Sequence, residues 1–173
     1  MRQEDSVTFT VRPAPRFLAD RMLGKLARWL RILGYDTAYL PQLSPDGVMI
    51  EGRRQGRVIL TRDTRLLRRK GMPPFLFVQS DRFREQLKQV VETLQLAPLQ
   101  SPSLFSRCIE CNQVLEEVKK DKVHERVPEY VWRTQDDFRG CPECHRLYWG
   151  ATHRDHVLEE LRRLELVGED PQG

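Results

Sequence analysis

The sequence predicts an α/β domain with a mostly parallel sheet, then a small ribbon built on four cysteines, then a C-terminal helix. Three observations carry this. Short apolar runs alternate with helical patterns over residues 16–97, giving strand then helix four times in succession. Two Cys-x-x-Cys pairs, Cys108–Cys111 and Cys141–Cys144, account for all four cysteines. Charge divides between the halves: residues 1–100 carry 18 Lys and Arg against 10 Asp and Glu, and residues 101–173 carry 11 against 15.

Residues 1–15 read as an extended arm, in which VTFTV alternates until Pro13 and Pro15 break it. The first domain follows, over residues 16–97. Arg16–Ala19 is a short apolar strand that runs into Asp20. Met22, Leu23, Leu26, Ala27, Leu30 and Leu33 then recur at helical spacing, and Gly34 stands where a helix stops. Thr37–Leu40 is a second strand. Ser44-Pro45-Asp46 signals a helix start, with Ser44 or Asp46 as the cap. The helix that follows, to about Gln55, reads as weak because Gly47 and Gly52 interrupt it. Arg57–Thr61 has the composition of a buried strand and ends in Arg62-Asp63. Thr64–Lys70 is a short basic helix and Pro74–Val78 a fourth strand. Asp81–Leu96 is amphipathic, with Phe83, Leu87, Val90, Val91 and Leu94 on its buried side. The pattern implies a parallel sheet with helices on both faces.

Residues 98–106, with Pro98 and Pro102, form a linker, and residues 107–153 the ribbon. The stretch from Asn112 to Gly140 is longer than a minimal ribbon needs and is expected to carry extra strands. Residues 154–173 are a charged helix and tail, with Val157, Leu158, Leu161 and Leu164 in a stripe that either domain can receive.

Each Cys-x-x-Cys pair offers two thiolates from one turn, and four thiolates are the ligand set of a structural Zn²⁺. Disulfides fit a secreted chain, but MRQEDSVTFTV lacks the apolar stretch of a signal peptide. A redox pair is expected at a βαβ start, which neither pair occupies. A catalytic zinc keeps an open position, and four thiolates close it. His145 and His153 then read as groups around the site, and Arg107, Arg146 and Arg154 as cations that soften its charge.

Hydrophobic residues are 39% and charged residues 31%, the balance of a globular chain rather than a disordered one. No run is long enough for a membrane span, so cytoplasmic residence is the default. The basic first half points to a polyanion such as nucleic acid; a solvated basic surface explains the same charge.

Open parallel sheets bind ligands beyond the carboxyl ends of their strands. Asp20 and Asp63 each follow such an end, and Asp46 opens the helix between the second and third strands. Converging carboxylates repel unless a cation lies between them, and hard oxygen ligands suit Mg²⁺ or Mn²⁺. Such ions activate water and stabilise the charge of an in-line attack on phosphate. Singly, Asp46 reads as a helix cap, Asp63 as a turn residue and Asp36 as the partner of a nearby arginine. Arg21, Lys25 and Arg28 follow Asp20 on one helix face, and Arg62, Arg65, Arg68 and Arg69 flank Asp63. These are candidate contacts to a nucleic-acid backbone, Arg21, Lys25, Arg28, Arg62 and Arg65 above all. A solvated helix face is the plain alternative. The histidines all lie beyond residue 120, which argues against a two-histidine acid–base mechanism at this rim.

FLADRMLGKLARWLRILGYDT, GRVILTRDTRLL, RCIECNQVL and CPECHRLYWGATH, in that order, resemble the Mut-seven C-terminal RNase domain family. That family is a branch of the PIN-like nucleases with a zinc ribbon fused at its C-terminal end. The resemblance runs from about Arg16 to His156. It implies a PIN-like three-layer α/β/α domain and metal-dependent cleavage of RNA. By position, it implies Asp20, Asp46 and Asp63 as the acids that hold Mg²⁺ or Mn²⁺, with Asp81 a fourth candidate. Cys108, Cys111, Cys141 and Cys144 match the ribbon's zinc ligands. The middle segment, PDGVMIEGRRQG, departs from the family pattern in its two glycines and in Gln55, where an acid is expected. Glu51 is the alternative middle acid if the register shifts. Tyr148, Trp149, Gly150 and His153 also match the pattern, and either pack the ribbon or stack on a base. PIN-like domains are often dimers, which leaves a homodimer open. A non-catalytic RNA- or protein-binding module that keeps this fold is the alternative function.

Overall fold

The computed structural model describes residues 14–96, 104–150 and 152–166. The expected arm up to residue 13, the linker over 98–103 and the tail beyond 166 lie outside the described residues. A mixed α/β architecture results. Its first sheet has four strands: β1 (Phe17–Ala19), β2 (Thr37–Tyr39), β3 (Val58–Thr61) and β4 (Phe75–Phe77). Their order is β2-β1-β3-β4 and every pairing is parallel.

The side chains of the central strands alternate between two cores, as a pleated strand requires. Phe17, Ala19 and Leu60 point to one side. There they meet Leu23, Leu26, Leu30 and Leu33 around helix α1 (Gly24–Ile32) and Leu87 and Val90 of helix α4 (Phe83–Thr93). Leu18 and Ile59 point to the other side. There they meet Val48 of helix α2 (Pro45–Gln55) and Leu66 of the one-turn helix α3 (Thr64–Leu67). Helices therefore cover both faces, which gives the α/β/α layering.

Helix α2 is complete where the sequence reads as weak. Ser44 caps it, its Oγ accepting from the Gly47 N–H at 3.2 Å, with Pro45 in the first turn. Gly56 closes it at φ 61°. Gly52 costs helix propensity but lets the helix settle on the sheet: a Cβ there would lie 2.9 Å from Ile59, a fully buried side chain.

The second sheet is antiparallel, order β5-β6-β7: β5 (Glu116–Glu117), β6 (Phe138–Gly140) and β7 (Leu147–Trp149). Extra strands were the expectation for residues 112–140. The stretch does carry β5 and ends in β6, but between them it is helical, with 3₁₀ turns at Lys120–Lys122 and His124–Arg126 and helix α5 (Glu129–Thr134). Val123, Val127 and Val131 from these turns bury Phe138, so the insertion makes its own small core. Helix α6 (Thr152–Arg163) then returns to the first domain. Leu161 and Leu166 join the α1–α4 core, and Arg84 pairs with Glu160. Among the described residues no helix is long and apolar enough to cross a membrane.

Candidate functional site

Strands β1 and β3 lie side by side with Ala19 level with Leu60. That register brings Asp20, just past β1, against Thr61, the last residue of β3. The fully buried Thr61 hydroxyl joins the two acids. It donates to Asp20 Oδ2 at 2.6 Å and accepts from the Asp63 N–H at 2.9 Å. The Arg62 N–H donates to Asp20 Oδ2 and the Met22 N–H to Asp20 Oδ1, each at 2.8 Å. Asp20 is only 4% exposed. Its partners are neutral donors, and among the described residues no cation pairs with it.

A pocket of about 330 Å³ opens between Asp20 and Asp63, with Arg21, Met22, Ser44 and Arg65 in its wall. Asp63 is gripped by Arg65. Nη2 lies 2.7 Å from Oδ2, Nε lies 2.9 Å from Oδ1, and the Arg65 N–H donates to Oδ1 at 2.9 Å. The guanidinium holds the Asp63 carboxyl below the ordinary carboxylate range.

The other sequence-predicted acids stand apart from this pair. Asp46 opens α2 near the same rim, but its side chain is 63% exposed, pairs with Arg69 at 3.5 Å and does not line the pocket. Glu51 lies further along α2 and is held by Arg54 and Gln55. Gln55 in turn accepts from Arg57, which precedes β3, so Glu51 belongs to the amino-terminal edge of the sheet. Asp81 is exposed in the turn before α4 and does not line the pocket. Of the predicted basic contacts, Arg21 and Arg65 line the pocket. Arg62 donates to the Gln79 carbonyl at 2.8 Å. Lys25 lies 3.8 Å over the Phe83 ring. Arg28 turns toward the ribbon and pairs with Glu110 at 3.0 Å, because the far end of α1 lies under the first cysteine turn.

The four cysteine sulfurs lie within 4.8 Å of one another. Cys108–Cys144 is 3.6 Å and Cys111–Cys141 is 3.2 Å. Ligand sulfurs about 2.3 Å from a tetrahedral ion stand roughly 3.8 Å apart, so the cluster fits one such ion. The two turns are built alike. The residue after each pair, Asn112 (φ 68°) or His145 (φ 59°), is left-handed and donates back to Cys108 or Cys141. Burial raises the Cys108 thiol, but the Tyr148 hydroxyl at 3.1 Å and nearby backbone N–H groups outweigh it and bring it to about 6. Tyr148 thus packs against the ligands, while Trp149 is exposed. The His153 side chain lies outside the described residues.

Sequence reasoning missed how the ribbon is moored. Buried Arg31 of α1 donates to three carbonyls, those of Thr37, Ile109 and Glu110. Asn112 accepts from the Thr37 N–H at 2.9 Å and donates to Asp36 at 2.7 Å. Asp36 also pairs with Arg57 at 2.6 Å and Arg16 at 3.1 Å, in keeping with its plain reading as the partner of an arginine. The anchors that Arg31 and Asn112 make between the first domain and the first cysteine turn reach across more than 70 residues, so no local signal could show them.

The model of one protein family, the Mut7-C RNAse domain, matches residues 15–161. This chain belongs to that family. The match spans both the domain with the acid pocket and the ribbon, so the two come together as one family unit. For this Mut7-C RNAse domain no curated protein matches and no solved structure matches. The family ties the chain to RNA and to nuclease chemistry.

Proposed function

We propose that this chain is a metal-dependent ribonuclease whose working site is the pocket between Asp20 and Asp63, with a structural zinc on the four cysteines. The observation that carries the first part is Asp20. A buried carboxylate that faces a pocket with only neutral donors has uncompensated charge, and a second carboxylate stands in the same pocket. Those residues fit Mg²⁺ or Mn²⁺, which prefer carboxylate oxygen and keep several waters. A divalent ion held there supplies water activation and charge stabilisation for phosphodiester hydrolysis.

The protein's own groups do the rest. Thr61 and the Arg62 and Met22 N–H groups fix Asp20 in one orientation, so its carboxylate needs no rearrangement. Arg21 and Arg65 in the wall, with Arg62 on the rim, supply positive charge for the RNA phosphate and for the charge that builds on it. Asp46, exposed and paired with Arg69 outside the pocket, would reach an ion there only if that pair opened. The cysteine cluster lies at the opposite end of α1, where it holds the fold rather than the substrate.

The test is cleavage of a labelled single-stranded RNA by zinc-loaded protein with Mn²⁺, with Mg²⁺ and with neither, beside Asp63→Asn. Divalent-dependent cutting that falls at least about 100-fold in the variant supports the site. Cutting that Asp63→Asn leaves intact sinks the assignment. A non-catalytic RNA-binding module is the second reading, and one observation favours it: Asp46 lies outside the pocket, paired with Arg69. It predicts RNA binding without cutting under every ion.

A further inference from the structure

We propose that Arg65 is an internal stand-in for the divalent ion. It neutralises Asp63 until the ion arrives, then yields the carboxylate and turns its guanidinium to an RNA phosphate. This rests on the reading of the pocket as a divalent-ion site and adds a positioning residue to it.

Arg65 occupies both oxygens of Asp63, Oδ2 through Nη2 and Oδ1 through Nε and the backbone N–H. Asp20, across the same pocket, has no cation at all among the described residues. The two acids are therefore unequal: Asp63 is paired with a guanidinium, and Asp20 is held by neutral donors alone. A divalent ion held by Asp63 would meet a carboxylate whose two oxygens Arg65 already engages. A doubly charged ion and a guanidinium on one carboxylate repel each other strongly at such short range. One of them leaves, and only Arg65 is built to do so. Its side chain is 64% exposed while Asp63 is 16% exposed, and its helix is a single turn. Released, it would still belong to the pocket wall, free to meet an RNA phosphate that enters there. A planar fork suited to a carboxylate is equally suited to a phosphate. Arg69 repeats the pattern more loosely, 3.5 Å from Asp46. Residues 65–69 thus supply the cation for Asp63 and for Asp46.

The experiment is calorimetric titration of Mn²⁺ into the zinc-loaded full chain, with wild type, Arg65→Gln, Arg65→Lys and Arg54→Gln. Arg54 pairs with Glu51 at the far edge of the sheet, so its variant makes the same charge change away from the pocket. Arg65→Gln is expected to bind Mn²⁺ about fivefold tighter, the scale set by losing one exposed bidentate competitor. Arg65→Lys, which keeps the charge and loses the fork, falls between it and wild type. Arg54→Gln leaves the affinity unchanged. In RNA cleavage Arg65→Gln raises KM, because the group that turns to phosphate is gone. Mn²⁺ affinity in Arg65→Gln equal to or weaker than wild type overturns the stand-in role alone. Should Arg65→Gln not fold, an affinity in Arg65→Lys no tighter than wild type overturns it equally. No Mn²⁺ binding by wild type overturns the divalent-ion reading and the stand-in role together.

Discussion

Replacing Thr61 by Val should cost far more than the near-equal size of the two side chains implies. The Thr61 hydroxyl is fully buried and works in both directions, as donor to Asp20 and acceptor from the Asp63 N–H. Valine removes a hydrogen bond to a charged group, worth about 1.5–3 kcal/mol, and strands a part-buried N–H at about 1 kcal/mol. Its extra methyl returns about 0.8 kcal/mol. The net loss is about 2–3 kcal/mol, or a fall in Tm of roughly 5–10 °C for a chain of this size. Thr61→Ser keeps the hydroxyl and loses one methyl, about 1 kcal/mol. Urea denaturation of zinc-loaded protein measures both. The double variant with Asp20→Asn isolates the shared bond, because Thr61→Val should cost less once the carboxylate is gone. A Thr61→Val stability within about 0.5 kcal/mol of wild type would refute the coupling role of the hydroxyl. So would a Thr61→Ser variant that is the more damaged of the two.

Two further outcomes follow from the mooring of the ribbon. Burial opposes ionisation of Asp36, but hydrogen bonds from Arg57 and Asn112 outweigh it and hold the carboxyl at about 2. A depressed carboxylate contributes stability above its ordinary pKa, and that contribution disappears as pH falls from about 4 to about 2. The advantage of wild type over Asp36→Asn should be about 2 kcal/mol at pH 6 and shrink through that window. Measuring the difference at each pH cancels the acid loss of zinc. Removal of zinc by a chelator at neutral pH should loosen both cysteine turns and, with them, Asn112. Hydrogen exchange should then speed up at the Thr37 N–H, which Asn112 accepts, and stay slow at Leu60 in the centre of the sheet. Unchanged protection at Thr37 would show that the turn docks without its ion.

The parts of this architecture that repeat locally could be read from the chain. Strand signals ending in Asp20 and Asp63 placed both acids on one rim, because parallel strands put successive carboxyl ends together. The cysteine spacing foretold the cluster, since a turn of that length can deliver two sulfurs to one point. The parts set by distant contacts could not be read. Gly52 looked like a defect in a helix, yet it is where α2 meets Ile59. The insertion before β6 looked like strand, yet three valines on turns and a short helix seal Phe138 instead. Arg28 shared a helical face with Arg21 in the sequence, but Glu110, more than 80 residues on, draws it away from the rim. Arg31, on the same helix, carries no mark in the sequence and lies buried beneath the ribbon. The helix opening with Ser44 was legible, whereas the distance of Asp46 from the pocket was not, because propensity says nothing of where a side chain ends.

Composition divides this chain near residue 100, into a basic half and an acidic one. The contacts of Arg31 do not respect that seam. A protease that severed the chain between residues 97 and 103 would separate a guanidinium from two of its three carbonyls, and would detach Leu161 and Leu166 from the core they help to fill. A recombinant fragment ending at that seam would inherit a buried positive charge with little to hold it and an apolar face with its cover removed. For anyone trimming the protein to a minimal folded unit, the shortest sensible piece is therefore nearly the whole of residues 14–166.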